Sequence, residues 1–390
     1  MLALKLAYRN LVGAGLRTWL NVAVLSLAYV LIIWHQGLFV GMLRHSCRAV
    51  IDDEVGGGQF RHPAYDPYDP FSLDESHGVP PPPVRELIER KQAAPILIRQ
   101  ASVYPQGRLE TALLKGIPPG QKVLNLPTAA LANREELLPI MVGKRMAKSC
   151  ELNVGDDLTI RWRDANGTFD ATEGRVVHIM ETMVPTVDNR QLWLPLDELQ
   201  RMTDLPGEAT LAVVGRDVPR QQDAGAWKFS GQDVLLKDIY DMIRMKRVTA
   251  GMMYAILLLL AMLAIFDTQV LAIFKRRKEI GTLVALGMTR RQVVSLFTIE
   301  GGMHGVLAAV AGAAYGIPLL VWTARTGIAL PSTVDDYGFA MPTRLYPYYS
   351  LMLVAGTILV IMFTVTLVSF LPSSRIARMN PTDALKGKAA

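Results

Sequence analysis

Cysteine is scarce in this chain, since 390 residues contain only Cys47 and Cys150. This scarcity excludes a disulfide-stapled scaffold and a cysteine-rich zinc or iron–sulfur site, because such sites need several thiols at close spacing. Spacing along the chain does not fix the distance between two Cα atoms, so a disulfide between these two stays open. Two unpaired thiols are the simpler expectation.

Charge is also scarce, with 19% charged residues against 51% hydrophobic ones. The mean hydropathy is +0.24. These values exclude a disordered chain and are unusual for a soluble enzyme. The composition therefore predicts a membrane protein with a sizeable part in water.

Catalytic and metal-binding motifs are missing as well. The sequence has no H-E-x-x-H helix, no phosphate-binding G-x-x-x-x-G-K-[ST] loop and no calcium loop. The acidic groups Asp52 to Glu54 and Asp156 to Asp157 are expected to be solvated turns, because an oxygen cage for a metal needs more ligands at ordered spacing. We therefore predict a non-catalytic chain without a metal site.

Long apolar stretches are present, and a membrane-spanning helix needs about 20 such residues. Four stretches qualify, at 18–42, 249–274, 293–323 and 350–371. The first is longer than the apolar part of a signal peptide, so we expect a retained anchor. The predicted fold class is an α-helical membrane protein with four transmembrane helices and a large mixed α/β extracytoplasmic domain inserted between helices 1 and 2.

Positive charge is concentrated in the segments that flank these stretches. Basic residues precede the first stretch, separate the second from the third and follow the fourth: Lys5, Arg9, Arg17, Lys275, Arg276, Arg277, Lys278, Arg290, Arg291, Arg375, Arg378, Lys386 and Lys388. Short basic segments stay cytoplasmic. Both termini are therefore predicted to be cytoplasmic, with 324–349 as a short external loop. The net charge of +6 reflects this topology and gives no support to nucleic-acid binding.

The external domain is predicted to cover 43–233. Its beginning is rich in Gly and Pro, which favours an extended arm over 56–83 and argues against a central strand there. Helices are expected at 84–91 and 134–149, and short strands at 96–104, 110–114, 157–163, 174–181, 191–194 and 209–214. A stalk helix over 234–248 would run without a break into the second span and measure about 60 Å in all.

Residues 275–292, KRRKEIGTLVALGMTRRQ, form a basic segment between the second and third spans. Ile280, Leu283, Val284 and Leu286 can bury one face of a short helix, and Gly287 can end it. Such a basic amphipathic helix can also simply lie against anionic lipid.

This segment resembles the cytoplasmic coupling helix of the ABC-transporter permeases of the MacB, FtsX and LolC/LolE type, the type VII or mechanotransmission family. The matching residues are Arg276, Arg277, Lys278, Glu279, Ile280, Gly281, Leu283, Ala285, Leu286, Gly287, Thr289, Arg290 and Gln292. Residues 1–17 resemble the amphipathic cytoplasmic entry helix of that family, and 372–390 contain its tail motif. Short elements at 115–118, 142–147 and 154–158 resemble the lipoprotein-release branch.

The resemblance implies a permease subunit of the bacterial inner membrane that is driven by a cytosolic ABC ATPase dimer. ATP and Mg²⁺ would bind that ATPase, with no cofactor in this chain, and a second permease would complete a homodimer or a related heteromer. The residues implied in ATPase coupling are Arg276, Arg277, Lys278, Glu279, Ile280, Gly281, Leu286, Gly287 and Arg290. Lipoprotein release or export is the expected function. The alternatives are MacB-like efflux of small molecules or peptides, an FtsX-like regulator of a cell-wall hydrolase, and a receptor or scaffold without an ATPase.

The third span carries small residues at spacings that place them on one helix face, namely Gly301, Gly305, Gly312 and Gly316. Such a stripe lets two helices approach closely, so we expect it to pack against another helix of this permease or of its partner. Asp267, Glu300 and His304 also lie in the spans. Hydrogen bonding inside the bundle is expected for them rather than proton transfer.

Overall fold

The structure is a computed structural model that describes residues 16–133, 137–182, 184–219, 221–275, 281, 282, 284, 286–329 and 344–376. These residues fall into two compact units. The helical unit comprises the described parts of 16–43, 243–329 and 344–376, and the α/β unit comprises those of 44–242.

The helices and strands are numbered here in chain order. The helices are α1 (Leu16–Val50), α2 (Pro82–Glu89), α3 (Lys144–Cys150), α4 (Pro185–Asp188), α5 (Leu196–Met202), α6 (Gln232–Leu235), α7 (Lys237–Lys275), α8 (Arg290–Thr326) and α9 (Leu351–Ile376). The strands are β1 (Gly58–Arg61), β2 (Ala93–Val103), β3 (Glu110–Ile117), β4 (Leu138–Gly143), β5 (Asp157–Arg163), β6 (Phe169–Met180), β7 (Gln191–Pro195), β8 (Leu211–Val214), β9 (Lys228–Gly231), β10 (Ile328–Ala329) and β11 (Arg344–Leu345). A π-helical turn at Ile51–Val55 and 3-10 turns at Pro70–Asp74, Pro105–Gly107 and Thr128–Ala132 complete the described elements.

Four helices in the described part of the chain are long and apolar enough to cross a membrane: Trp19–Val55, Lys237–Leu271, Arg290–Thr326 and Leu351–Ser374. These four candidate spans fit a membrane permease. The longest, α7, has 39 residues, so it extends over about 58 Å at 1.5 Å per residue.

Six strands of the α/β unit pair in a closed ring, in the order β2, β3, β7, β4, β6, β5 and back to β2. The β3–β7 and β4–β6 pairs are parallel, and the other pairs are antiparallel. Strand β5 shows why the ring has an apolar interior. Its Leu158, Ile160 and Trp162 are buried and alternate with exposed residues, as the two-residue period of a strand requires.

Strand β2 takes part in two sheets. Its first residues, Ala93 to Ile96, pair with β8 instead of the ring, and β8 continues the sheet to β1 and β9. Phe60 of β1 and Trp227 are buried there in a second apolar cluster. The mixed α/β architecture is therefore confirmed, with one long strand shared by two sheets.

Two predictions for the α/β unit are wrong. Residues 56–83 were expected to exclude a central strand, yet β1 pairs with β8 on one side and β9 on the other. The glycines before β1 fit this arrangement because the backbones approach closely there. A Cβ on Gly57 would lie only 2.4 Å from the carbonyl oxygen of Gly215. A residue without a Cβ is therefore needed where the chain enters this sheet.

The helix expected over 134–149 is also wrong in its first half. Residues 138–143 form β4, and the helix α3 begins only at Lys144. Pro139 and the β-branched Ile140 and Val142 favour the strand, and pairing with β6 and β7 on its two sides fixes it. Tertiary pairing here outweighs helix propensity.

A buried lysine lies in the ring at the β3–β7 pair. The ammonium of Lys115 is 5.0 Å from the centroid of the Trp193 ring, its parallel neighbour, and the residue is 9% exposed. Burial lowers the pKa of Lys115, opposed by the charge of Glu54. Elsewhere in the unit, Cys47 is half-buried, Cys150 is buried, and both thiols are free.

Candidate functional site

The segment between α7 and α8 is the candidate site, and part of it lies within the described residues. Lys275 ends α7. The coupling candidates Arg276, Arg277, Lys278, Glu279 and Ile280 lie outside the described residues, as do positions 283 and 285. Gly281 is helical and buried, and the chain is described again from Leu286 onward.

A glycine turn ends the short helical stretch before α8. The amide of Leu286 donates to the carbonyl of Thr282 at 2.9 Å, and the amide of Gly287 donates to that of Val284 at 3.0 Å. Gly287 then has φ +100°, a conformation that side chains with a Cβ rarely adopt. Open space surrounds its missing Cβ, so glycine is needed for the backbone angle and not for room.

A capping box begins α8 two residues later. The Thr289 hydroxyl accepts from the Gln292 amide at 3.4 Å, and the Gln292 side-chain oxygen accepts from the Thr289 amide at 2.8 Å. Two backbone amides at the end of the helix are thereby satisfied. The pattern Thr-x-x-Gln is a sequence signature of this box, and it would have identified these two residues before the structure.

Apolar contacts hold the turn to the base of α8. Val284 and Met288 pack against Val293 and Phe297. Met288 precedes the capping residue and Val293 follows it by four, which is the arrangement of a hydrophobic staple. The staple fixes the angle at which the turn enters the helix. Leu286, in contrast, is 80% exposed, so its expected place on the buried face is wrong.

The first turn of α8 carries an unusual charge. Arg290 and Arg291 are both exposed there, and that turn contains no acidic residue. No ion pair to either guanidinium occurs among the described residues. Positive charge at a helix N-terminus is unfavourable because the helix dipole is positive at that end. The two arginines therefore do not stabilise α8, and they form a positive surface beside a rigid turn.

The glycine stripe of α8 lies against two helices of the same chain. A Cβ on Gly301 would lie 2.0 Å from the Ser369 hydroxyl of α9, and one on Gly305 would lie 2.8 Å from the Met362 sulfur. Further along, a Cβ on Gly316 would lie 2.6 Å from Val30 of α1, and one on Gly312 would lie 3.3 Å from the Ser26 carbonyl oxygen. The stripe thus divides its contacts between α9 and α1.

The ionisable residues of the spans do not form a relay in the described structure. Asp267 is exposed, whereas Glu300 and His304 are buried. The Nδ1 atom of His304 lies 2.9 Å from the Glu300 carbonyl oxygen, within the same helix. Among the described residues, no group of three or more His, Cys, Asp or Glu side chains is arranged to hold a metal ion.

Comparison with known proteins places residues 251–381 in the FtsX-like permease C-terminal family. The lipoprotein-releasing system transmembrane protein LolC of Xylella fastidiosa is 21% identical over 325 residues, covering 75% of this chain and 77% of LolC. An uncharacterized ABC transporter permease of Methanocaldococcus jannaschii is 24% identical over 254 residues, or 61% of this chain and 59% of that protein. The macrolide export ATP-binding/permease protein MacB of Wolinella succinogenes is 23% identical over 196 residues, or 50% of this chain and 27% of MacB.

The family match contains the glycine turn, the capping box, the glycine stripe and the last long helix. The matches to LolC extend over three quarters of the chain, well beyond that region. These similarities agree with the motif read from the basic segment. The chain carries an FtsX-like permease domain over residues 251–381 and is similar to ABC transporter permeases of the MacB/FtsX/LolC type.

Proposed function

We propose that this chain is the non-catalytic permease subunit of an ABC transporter and that a separate cytosolic ATPase docks on the basic turn. The observation that carries the proposal is the pair of exposed, unpaired arginines held at the start of α8 by the glycine turn and capping box. A positive surface of fixed geometry suits an acidic groove of an ATPase. Complementary charges guide the two proteins together and fix their relative orientation. ATP and Mg²⁺ would be held by that ATPase.

The proposed coupling residues are those of the motif: Arg276, Arg277, Lys278, Glu279, Ile280, Gly281, Leu286, Gly287 and Arg290. Exposed Leu286 would give the ATPase an apolar contact, and exposed Arg290 would give it a charged one. Gly287 would fix the position of Leu286 relative to Arg290, since few other residues adopt its positive φ. Motion imposed on the turn would therefore reach α8 with little loss.

Helix α7 is the proposed route from the turn to the α/β domain. It runs from Lys237 to Lys275 as one helix, with an interior free of proline and with the single glycine Gly251. A continuous helix transmits displacement better than two helices joined by a loop. We propose that the α/β domain is extracytoplasmic, that both termini are cytoplasmic and that the protein lies in the bacterial inner membrane.

The proposed cargo is a lipoprotein, released or exported on the outer side. Relatives named as lipoprotein-releasing LolC proteins cover about three quarters of this chain, whereas the macrolide export protein MacB covers half. Coverage of three quarters must include part of the α/β unit, where a cargo would be handled. A second permease chain, identical or related, would pair with this one.

Copurification tests the proposal most simply. The tagged full chain is expected to recover a soluble ATPase from a mild-detergent extract, and Arg290→Glu should reduce that recovery at least about tenfold through charge repulsion. Arg325→Glu, which changes an exposed arginine at the other end of α8, is the matched control and should recover the ATPase normally. Failure to recover any ATPase in several detergents would favour a receptor or scaffold.

A further inference from the structure

A groove of about 570 Å³ lies between α8 and α9. Arg290 and Arg291 line one end of it, together with Ser374 of α9. Ile299 and Phe370 line the other end. Because α8 starts and α9 finishes at the charged end, that end coincides with the boundary of two candidate membrane spans.

The lining changes in polarity in a regular order along α8. Arg291 and Thr298 are seven residues apart, so they share one helix face and lie about 10 Å apart along the axis. On α9, Ser374 and Phe370 are four residues apart and repeat the same order from polar to apolar. The groove is therefore charged at its mouth, while Val294, Ile299 and Phe370 give it apolar walls further in.

The middle of the groove contains an unsatisfied hydroxyl. The Oγ1 atom of Thr298 is buried and has no hydrogen-bond partner in the described structure. Threonines in α9 behave differently, since Thr357, Thr364 and Thr366 each donate to the carbonyl four residues earlier at 2.7–2.8 Å. A buried hydroxyl without a partner is unfavourable, so Thr298 lowers the stability of the helix pair that forms the groove.

We propose that this groove binds one anionic phospholipid molecule. The lipid phosphate lies against the guanidinium groups of Arg290 and Arg291, which reach toward the membrane surface. One acyl chain follows Ile299 and Phe370. Basic pockets between membrane helices are suited to anionic headgroups. This site goes beyond transport, because it places a lipid on the same helix turn that faces the ATPase.

Charge complementarity selects this occupant over others. The two arginines have no acidic partner among the described residues, so a neutral or zwitterionic ligand would leave them uncompensated. The apolar inner wall, in turn, suits an acyl chain better than a free phosphate ion. A ligand with both a negative headgroup and a hydrocarbon chain suits both the charged mouth and the apolar walls.

The test is native mass spectrometry of the full chain titrated with phosphatidylglycerol or with phosphatidylethanolamine of the same acyl chains. The wild-type protein should retain one phosphatidylglycerol per chain and bind phosphatidylethanolamine more weakly. Arg291→Gln should weaken phosphatidylglycerol binding about fivefold, and Arg290→Gln with Arg291→Gln about 25-fold, since each basic group near an anionic lipid contributes about 1 kcal/mol. Thr298→Val should leave phosphatidylglycerol binding nearly unchanged while raising the unfolding temperature of the lipid-free protein, because the buried, unpaired hydroxyl is gone.

Arg325→Gln is the matched control, and it should leave phosphatidylglycerol binding unchanged. Equal retention of the two lipids would overturn the proposal, as would equal weakening by Arg325→Gln and Arg291→Gln. Inorganic phosphate that binds without lipid, with the same dependence on Arg291, would make this a free-phosphate site instead. If monomers retain phosphatidylglycerol and dimers do not, a second copy of the chain fills the groove in the dimer and the proposal is overturned. Because the readout is lipid binding, its failure is distinct from a failure to recover the ATPase.

Discussion

Helix α8 contains two regions that are built in opposite ways. Its first turn presents Arg290 and Arg291 to the surroundings, and its backbone is fixed by a capping box and a staple. Its glycine stripe presents no side chains at all and is fixed by contact with α9 and α1. The conformation of the first region is set by local hydrogen bonds and the staple, and that of the second is set by helix packing. Substitutions should therefore separate coupling from stability along a single helix.

The glycine stripe should give the largest loss of stability. Gly301→Ala places a Cβ 2.0 Å from the buried Ser369 hydroxyl, so α8 and α9 must move apart. We expect a loss of about 2 kcal/mol in the free energy of unfolding, typical of overpacking. Thermal unfolding of the purified chain in detergent measures it.

Gly302→Ala is the matched control, because its Cβ would lie 3.4 Å from Thr366 in ordinary contact. The double variant Gly301→Ala/Ser369→Gly should recover most of the lost stability. Equal unfolding temperatures for Gly301→Ala and Gly302→Ala would contradict the close packing.

The glycine turn should give the largest loss of coupling. Gly287→Val forces a β-branched residue into φ +100°, which costs about 1–3 kcal/mol locally. The strain changes the direction of the turn on which the ATPase is proposed to dock. We therefore expect the permease-dependent stimulation of ATP hydrolysis to fall about tenfold or more. The rate is measured with the copurified ATPase in vesicles.

Gly251→Ala, at another glycine with open space around it, is the control and should keep the stimulation. The unfolding temperature of Gly287→Val should fall less than that of Gly301→Ala, because the exposed turn relieves part of the strain by changing its direction. Full stimulation by Gly287→Val would show that the geometry of the turn is unimportant.

The capping box should give a smaller, local effect. Thr289→Ala removes the hydroxyl that accepts from Gln292, a loss of about 1 kcal/mol at a helix start. Hydrogen exchange of the amides in the first turn of α8 should then accelerate about fivefold. Thr289→Ser retains an acceptor and should exchange at nearly the wild-type rate, whereas acceleration by both variants alike would argue against the cap.

The α/β unit offers a contrasting case in which removing a charge should stabilise the protein. Lys115→Met replaces a buried ammonium with an apolar side chain of similar size, so we expect a gain of about 1 kcal/mol at neutral pH. Hydrogen exchange of β3 and β7 amides in the full chain measures the gain. A loss of protection would mean that the contact with Trp193 outweighs the burial of charge.

The same residue gives this unit a pH dependence of known sign. Burial lowers the pKa of Lys115 in the folded state below its ordinary 10.5. Between the lowered value and 10.5 the unfolded chain binds more protons, so stability rises with pH across that window. Lys115→Met should remove that rise.

Sequence patterns identified much of this architecture because their physical causes are local. Strand β5 has the predicted bounds, since apolar and polar residues alternate along it. Gly287 was expected to end the short helix from its residue type alone, and its φ is positive. Strands β1 and β4 did not, because pairing with distant strands decides their conformation. The exposure of Leu286 was missed for a related reason: periodicity marks a possible apolar face, whereas the staple of Met288 and Val293 decides which residues fill it.

The central claim is that the basic turn contacts a cytosolic ATPase, and site-specific photocrosslinking tests it directly. A photoreactive residue in place of Leu286, which is 80% exposed, should crosslink the copurifying ATPase. The same residue in place of Leu351, which is 86% exposed at the start of α9, is the matched control and should give no such product. An ATPase that copurifies with both variants but crosslinks to neither, or to both equally, would contradict the account.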